Sequence, residues 1–391
     1  MRTSHILICL SLLFAAGTQA GELLPPGATD VRPAQLVQAP LPDRPLERAP
    51  LHFAWALDPA AELALPAAHR AESREYWTVA EAAQLRKGLD IDTTAPGAVI
   101  RISPEAGARP VPARGLRVGK GGRWLAEAES VQRRARASEL QAVGMAVPEG
   151  SMVLQLAESQ GRGRFQLQVP DARGRYLVHV FEPASPYVLS AQSRQPRVLA
   201  GEELEVAVVL RRNRQALRAA RLEGELVSPD GRRFPLDLRS GLARVSVPML
   251  EDTAPGLWEV HVFAGTVDGG QVVQREVRTA VEVARPTARL AGRYAFDARA
   301  LRLELPVQVA AAGRYELRGT LYATGPDGLS RPVAQAHAAQ WLEPGTRRLA
   351  LPFGAQLLPP GHGAPFEVRH LELKDQSRMG TLETRALALR Q

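Results

Sequence analysis

Asp90 and Asp92, two residues apart in Leu89-Asp90-Ile91-Asp92-Thr93-Thr94, are the first residues whose spacing suggests chemistry. Alternate side chains at the end of a strand point the same way, so the pair could offer oxygen ligands to calcium. A full calcium site takes about 6–8 oxygens, which makes a polar strand face the simpler account. Just upstream, Tyr76-Trp77 precedes a capping-box pattern. Two adjacent rings there either cover the start of a helix, as in a hydrophobic staple, or present a surface on which a ligand stacks. Tyr76, Trp77, Asp90 and Asp92 are therefore the candidate ligand surface.

The remaining chemistry-bearing residues form no recognised constellation. The sequence has no nucleophile elbow, zincin helix, phosphate loop or dinucleotide fingerprint. Gly119-Lys120-Gly121-Gly122 lacks the spacing and hydroxyl residue of a phosphate loop and reads as a turn. The histidines after His5 do not pair at zinc-ligand spacings, and His179 and His261 hold equivalent repeat positions on the solvent side of their strands. His362 and His370 could meet across a hairpin, but two imidazoles leave a tetrahedral site half filled. Arg133, Arg134 and Arg136, and again Arg211, Arg212 and Arg214, read as solvated surface; the second cluster could also guard a sheet edge. No catalytic residue, cofactor site or metal site is assigned.

The elements that carry these residues are mostly strands. Leu51 to Trp55 reads as a strand, Thr78 to Lys87 as a short helix stopped by Gly88, and Trp124 to Val143 as the longest helix. Beyond that only strand signals occur, and they repeat. Leu222-Glu223-Gly224-Glu225-Leu226 runs into Pro229-Asp230-Gly231, as Leu317-Arg318-Gly319-Thr320-Leu321 runs into Pro326-Asp327-Gly328. Two further landmarks follow in register: Gly241 to Met249 matches Gly345 to Phe353, and Ala254 to Val260 matches Ala364 to Val368. A partial third copy places Tyr176 where the others have Trp258 and Phe366, each ring starting a strand on its inward face. Short alternating strands with regular turn signals over about 100 residues are the signature of an immunoglobulin-like sandwich.

The expected fold is mainly β, an N-terminal α+β module followed by two immunoglobulin-like β-sandwich domains. The expected boundaries are a signal peptide over 1–20, a Pro-rich linker or arm over 21–50, the α+β module over 51–184, and sandwiches over 185–285 and 286–391. Arg2, the apolar run Ile6 to Ala16 and the small residues closing Thr18-Gln19-Ala20 give the signal-peptide reading. The apolar run is too short to span a bilayer, and no second hydrophobic stretch reaches spanning length. Cleavage would remove Cys9, the single cysteine, leaving no disulfide and no thiol chemistry. Only Lys87, Lys120 and Lys374 are lysines among the 49 basic residues, so the net charge of +8 reads as an arginine-rich genome composition. Aromatic residues make up 5% of the chain, which argues against a nucleic-acid stacking platform.

The segments Tyr76-Trp77-Thr78-Val79, Ala83 to Gly88, and Thr93-Thr94-Ala95-Pro96-Gly97 through Pro104 resemble the secreted bacterial proteins catalogued as domain of unknown function 4785. The resemblance covers essentially the whole mature chain and implies a Gram-negative exported protein with an N-terminal module and immunoglobulin-like domains. It implies no catalytic residues. The expected function is an exported, periplasmic or secreted, non-enzymatic protein. Its N-terminal module would bind an unknown protein or glycan of the envelope or extracellular space, with the sandwiches as spacers. The alternative is a peptide- or glycan-directed hydrolase or inhibitor with a site between the first two modules, where residues such as Asp90 and His52 would converge.

Overall fold

The computed structural model describes residues 19–63, 69–112, 114–219, 221–251, 254 and 256–391. The expected signal peptide, with Cys9, therefore falls almost wholly outside the described residues. The chain is mainly β, and among the described residues six sheets stack into three two-sheet sandwiches, each closed over its own apolar core.

In the first unit, the sheet holding Glu75–Glu81, Arg175–Phe181 and Val99–Pro104 faces the sheet holding Leu89–Thr93, Gly163–Gln168 and Arg117–Lys120. Ile100 and Val178 from one sheet meet Ile91 and Phe165 from the other, as period-two alternation requires. The second unit packs the sheet of Glu203–Arg212 and Tyr187–Ser193 on the sheet of Gln271–Ala284, Trp258–Asp268 and Arg221–Val227. The third packs Arg302–Val309 and its neighbours on a sheet ordered Leu51–Ala56, Ser330–Leu342, Gly313–Thr324, Gly363–Asp375, Gly380–Arg390. The three rings aligned by the repeat, Tyr176, Trp258 and Phe366, are all buried.

The N-terminal segment ties the units together. The 21–50 stretch is an arm laid along the third unit: the Leu24 N–H donates to the Ala388 carbonyl at 2.8 Å, and Val31 exchanges hydrogen bonds with Thr384. The expected strand at Leu51 forms, but as the edge strand of the third unit's sheet, antiparallel to Ser330–Leu342. Arg70–Ser73 then adds an edge to the second unit beside Tyr187–Ser193. The stretch expected to open the first module is thus donated to its neighbours, and the first sandwich begins at Glu75.

Two helix readings need correction. Thr78 lies in a strand paired with Arg175–Phe181, and the helix runs only over Ala82–Lys87, with Glu81 and Gln84 forming its capping box. The Gly88 stop is as expected, its N–H donating to the Gln84 carbonyl. The long helix at Trp124–Val143 is replaced by helices Glu127–Ser130 and Ala137–Ala142 flanking a strand, Val131–Arg136. That strand pairs with Met152–Leu156, and the ladder overrides local helix propensity. Arg133, Arg134 and Arg136 consequently sit on a sheet edge.

The second and third units meet through charges. Arg197 bridges Glu282 at 3.2 Å and Glu372 at 3.3 Å, and the Thr381 N–H donates to Glu282 at 2.7 Å. Burial pushes the Glu372 pKa up, but the combined field of Arg318, Lys374 and Arg197 outweighs it and holds the carboxyl below its usual range. A carboxyl depressed in the folded state stabilises the fold above its unfolded pKa, and that contribution disappears as pH falls through the folded value. Glu372→Gln is therefore expected to lower the urea midpoint at pH 7, with the gap from wild type closing as pH drops below the ordinary glutamate value of 4.5. A gap independent of pH would show that the charge of Glu372 does not matter.

Candidate functional site

An exposed aromatic row lies on the third unit's edge strand. Leu51, Phe53 and Trp55 alternate along Leu51–Ala56 and share its outer face, while Ala54 points inward against the core. Their exposures are 52%, 45% and 40%, unusual for a row of apolar side chains on one strand face. His337 stands directly across the ladder from Phe53. The rings of Phe53 and His337 are 5.1 Å apart and 6° from parallel; Trp55 lies 5.2 Å from His337 and 5.7 Å from Phe53. Near-parallel rings 5.1–5.7 Å apart are too close to lie side by side in one plane, so they overlap as an offset stack, an aromatic tile partly open to solvent.

Polar groups fix the tile's inner border. His337 Nδ1 donates to Glu316 Oε1 at 2.7 Å, and Gln376 Nε2 donates to Glu316 Oε2 at 2.8 Å. With Nδ1 committed to Glu316, Nε2 is the ring nitrogen left to meet a ligand. An exposed apolar cluster with hydrogen-bonding groups at its edge suits a ligand whose own surface is divided in the same way.

The residues singled out by sequence lie elsewhere, at the junction of the first and second units. Tyr76 is buried in the first core, and its hydroxyl donates to the Asp92 carbonyl at 2.9 Å. Burial drives its pKa far above the usual phenol range, so the hydroxyl remains a donor. Trp77 faces the other way and stacks on His179 with centroids 3.9 Å apart. The guanidinium of Arg101 lies 5.1 Å from the Trp77 ring, and that of Arg278, from the second unit, 5.3 Å from it. His179 in turn contacts Glu75 at 2.8 Å, a hydrogen bond that holds the Glu75 carboxyl below its usual range. Trp77 thus cements two units, and the expected stacking surface is occupied from within the chain.

Asp90 and Asp92 do project together, and an arginine stands between them. Arg164 Nε donates to Asp92 at 3.0 Å, and its Nη1 lies 3.8 Å from Asp90. Among the described residues, no group of three or more His, Cys, Asp or Glu side chains is placed to hold a metal ion. His52 lies on the third unit's edge strand, so the structure does not bring it to Asp90. No helix among the described residues is long and apolar enough to cross a membrane, which says nothing of strands.

Beneath this junction lies a fully buried ion pair. Arg275 Nη2 contacts Glu182 Oε2 at 2.8 Å, both side chains having no exposure. Arg275 also donates to the Tyr187 carbonyl at 3.0 Å and to the hydroxyls of Thr94 and Ser185 at 2.8 and 2.6 Å. Glu182 Oε1 accepts the backbone N–H groups of Thr94 and Ala95. Every polar group in this buried cluster has a partner, which fixes the first unit on the second.

Residues 42–182 match the N-terminal domain of DUF4785, a domain of unknown function, and residues 287–390 match its C-terminal domain. The chain belongs to the DUF4785 family. A crystal structure of a DUF4785 family protein from Legionella pneumophila superposes with a TM-score of 0.74 at 22% identity, covering 95% of this chain and 99% of that one. That match shows a shared fold. A Salmonella alpha-2-macroglobulin mutant and the Escherichia coli alpha-2-macroglobulin, each 16% identical, cover 81% and 75% of this chain and 21% and 22% of theirs. Their TM-scores of 0.25 and 0.20 carry no argument. No curated protein matches the chain.

Sequence reasoning passed over both principal features of this DUF4785 protein. The signal for the tile was the period-two row Leu51, Phe53, Trp55, apolar at positions where an edge strand meets solvent. The signal for the lock was a charge in each of two inward rows: Val273-x-Arg275-x-Val277, and Tyr176-x-Val178-x-Val180-x-Glu182.

Proposed function

We propose that this protein is an exported, non-enzymatic binding protein that holds a neutral glycan of the envelope or extracellular space on the Phe53, Trp55 and His337 tile. The observation that carries this reading is an offset stack of three rings, two of them on residues 40–45% exposed, bordered by the ordered His337–Glu316–Gln376 chain. A sugar ring offers an apolar C–H face to aromatic rings and hydroxyls around its edge, which the tile and its border complement in turn. Aromatic side chains provide such a surface at small conformational cost, because few torsions need to be frozen. A nucleic acid would also stack, but it requires a basic track, and the charged neighbours of these rings are mixed: Glu316 holds His337, and Arg318, opposite His337 on the ladder, is paired with Glu372. Export is supported by Arg2, the apolar run Ile6 to Ala16 and the Ala20 site. Retention of the full-length protein in the cytoplasmic fraction would remove that part of the reading.

The test is affinity electrophoresis through gels containing soluble neutral β-glucans, beside sedimentation with purified cell-wall sacculi. Phe53→Ala/Trp55→Ala is expected to weaken retardation by about tenfold or more, an aromatic contact being worth roughly 0.5–1.5 kcal/mol beyond its area. Stability should change by only about 1 kcal/mol, since the rings are largely exposed. Equal retardation of variant and wild type, or none in any glycan, would overturn the assignment.

A further inference from the structure

A cleft of about 540 Å³ opens between the first and second units, directly above the buried Arg275–Glu182 pair. Its size lies within the roughly 300–1,000 Å³ range of small-ligand sites, which favour domain junctions. One wall carries Asp92, Arg162 and Arg164; the other carries Tyr187, Arg212, Asp268 and the Gly269-Gly270 turn. The walls are held in place, because Gln271 Nε2 donates to the Thr93 carbonyl at 2.9 Å across the junction.

The cleft's arginines are not all paired. Arg164 is shared by Asp92 and Asp90, and Arg212 contacts Asp268 at 3.2 Å. The Tyr187 hydroxyl donates to the same Asp268 oxygen at 2.9 Å. Burial, aided by that hydrogen bond, raises the Tyr187 pKa, so the phenol keeps its proton. Arg162 forms no ion pair with any described residue, yet its charge reaches the Tyr187 phenol. Gly163, Gly269 and Gly270 leave open space where a side chain would begin, so a ligand can approach their backbone.

We infer that this cleft binds a uronate: a sugar whose single carboxylate pairs with Arg162 while its hydroxyls donate to Asp92 and Asp268. The two aspartates make the choice. Arg162 is the cleft arginine with no carboxylate partner among the described residues, which suits a monoanion, and the carboxylates beside it repel the second charge of a phosphate. They also accept hydrogen bonds, which a bare anion cannot donate and a polyhydroxylated one can. The site shares no residue with the aromatic tile and stands or falls separately from it.

Titration calorimetry of the full chain at low salt tests this with D-glucuronate, glucose, a galacturonate trimer and inorganic phosphate. Glucuronate and the trimer are expected to bind at least about tenfold more tightly than glucose, the value of one charge-assisted contact. Preference for the trimer would point to a polysaccharide source, and equal affinity to the free acid. Arg162→Gln should remove that advantage at an unchanged melting temperature, because its side chain makes no ion pair within the protein. Phe53→Ala/Trp55→Ala should leave uronate binding intact. Tighter binding of phosphate, equal binding of glucose, no effect of Arg162→Gln, or no uronate binding would each overturn the inference.

Discussion

Arg275→Met is expected to destabilise the protein by about 3–5 kcal/mol, because it strands the Glu182 carboxylate in a dry interior without its counter-charge. Methionine matches the arginine stem in length, so the loss would come from electrostatics and hydrogen bonding more than from packing. Burial already pulls the Arg275 pKa down, and the Glu182 charge opposes that pull, so each ion is tolerated only in the presence of the other. The informative partner variant is Arg275→Met/Glu182→Gln. Its neutral amide retains an oxygen to accept the Thr94 and Ala95 N–H groups while discarding the unpaired charge. Urea unfolding should show the double variant more stable than Arg275→Met alone. A single variant within about 1 kcal/mol of wild type would mean that the pair is hydrated and does not lock the junction. The same experiment bears on the uronate cleft, whose two walls keep their separation only while this junction is closed.

The lock shows which parts of this fold were legible in the sequence. Alternation alone placed Tyr176, Trp258 and Phe366 in three cores, because a strand's facing is a local property with a period of two. The same alternation puts Arg275 and Glu182 on inward rows, a signal that the sequence reading passed over. Nothing local stated that they would meet across 93 positions of chain, one closing the first unit and the other in the second. The donated strands were illegible for the same reason. Leu51–Ala56 reads as a strand whichever sheet receives it, and its pairing with Ser330–Leu342 is decided by an edge that only the folded third unit presents. The expected long helix fails on the same ground: Val131–Arg136 joins a ladder with Met152–Leu156, a tertiary choice that local helix propensity does not contain. The surroundings of Tyr76 and Trp77 were illegible too, because a tryptophan half-hidden by a second unit and one open to solvent have identical sequences.

Trp258→Ala should produce the other large loss, about 3–5 kcal/mol, since truncating a buried aromatic forfeits its transfer energy and leaves a cavity. The indole packs beside Phe234, with ring centroids 5.9 Å apart, among Val260, Val262 and Leu226 of the second core. That core shares no residue with the other two, so the damage should be regional. Hydrogen exchange is the measurement that separates regions. Amides of Glu203–Arg212 and Trp258–Asp268 are expected to lose protection, while those of Gly313–Thr324 in the third unit keep theirs. The first unit should be affected at one place, the Thr94 and Ala95 amides, because their acceptor Glu182 depends on Arg275 from the loosened unit. Equal loss of protection in all three units would show instead that the sandwiches unfold as one cooperative body, and the buried pair would then be a seam within a single domain.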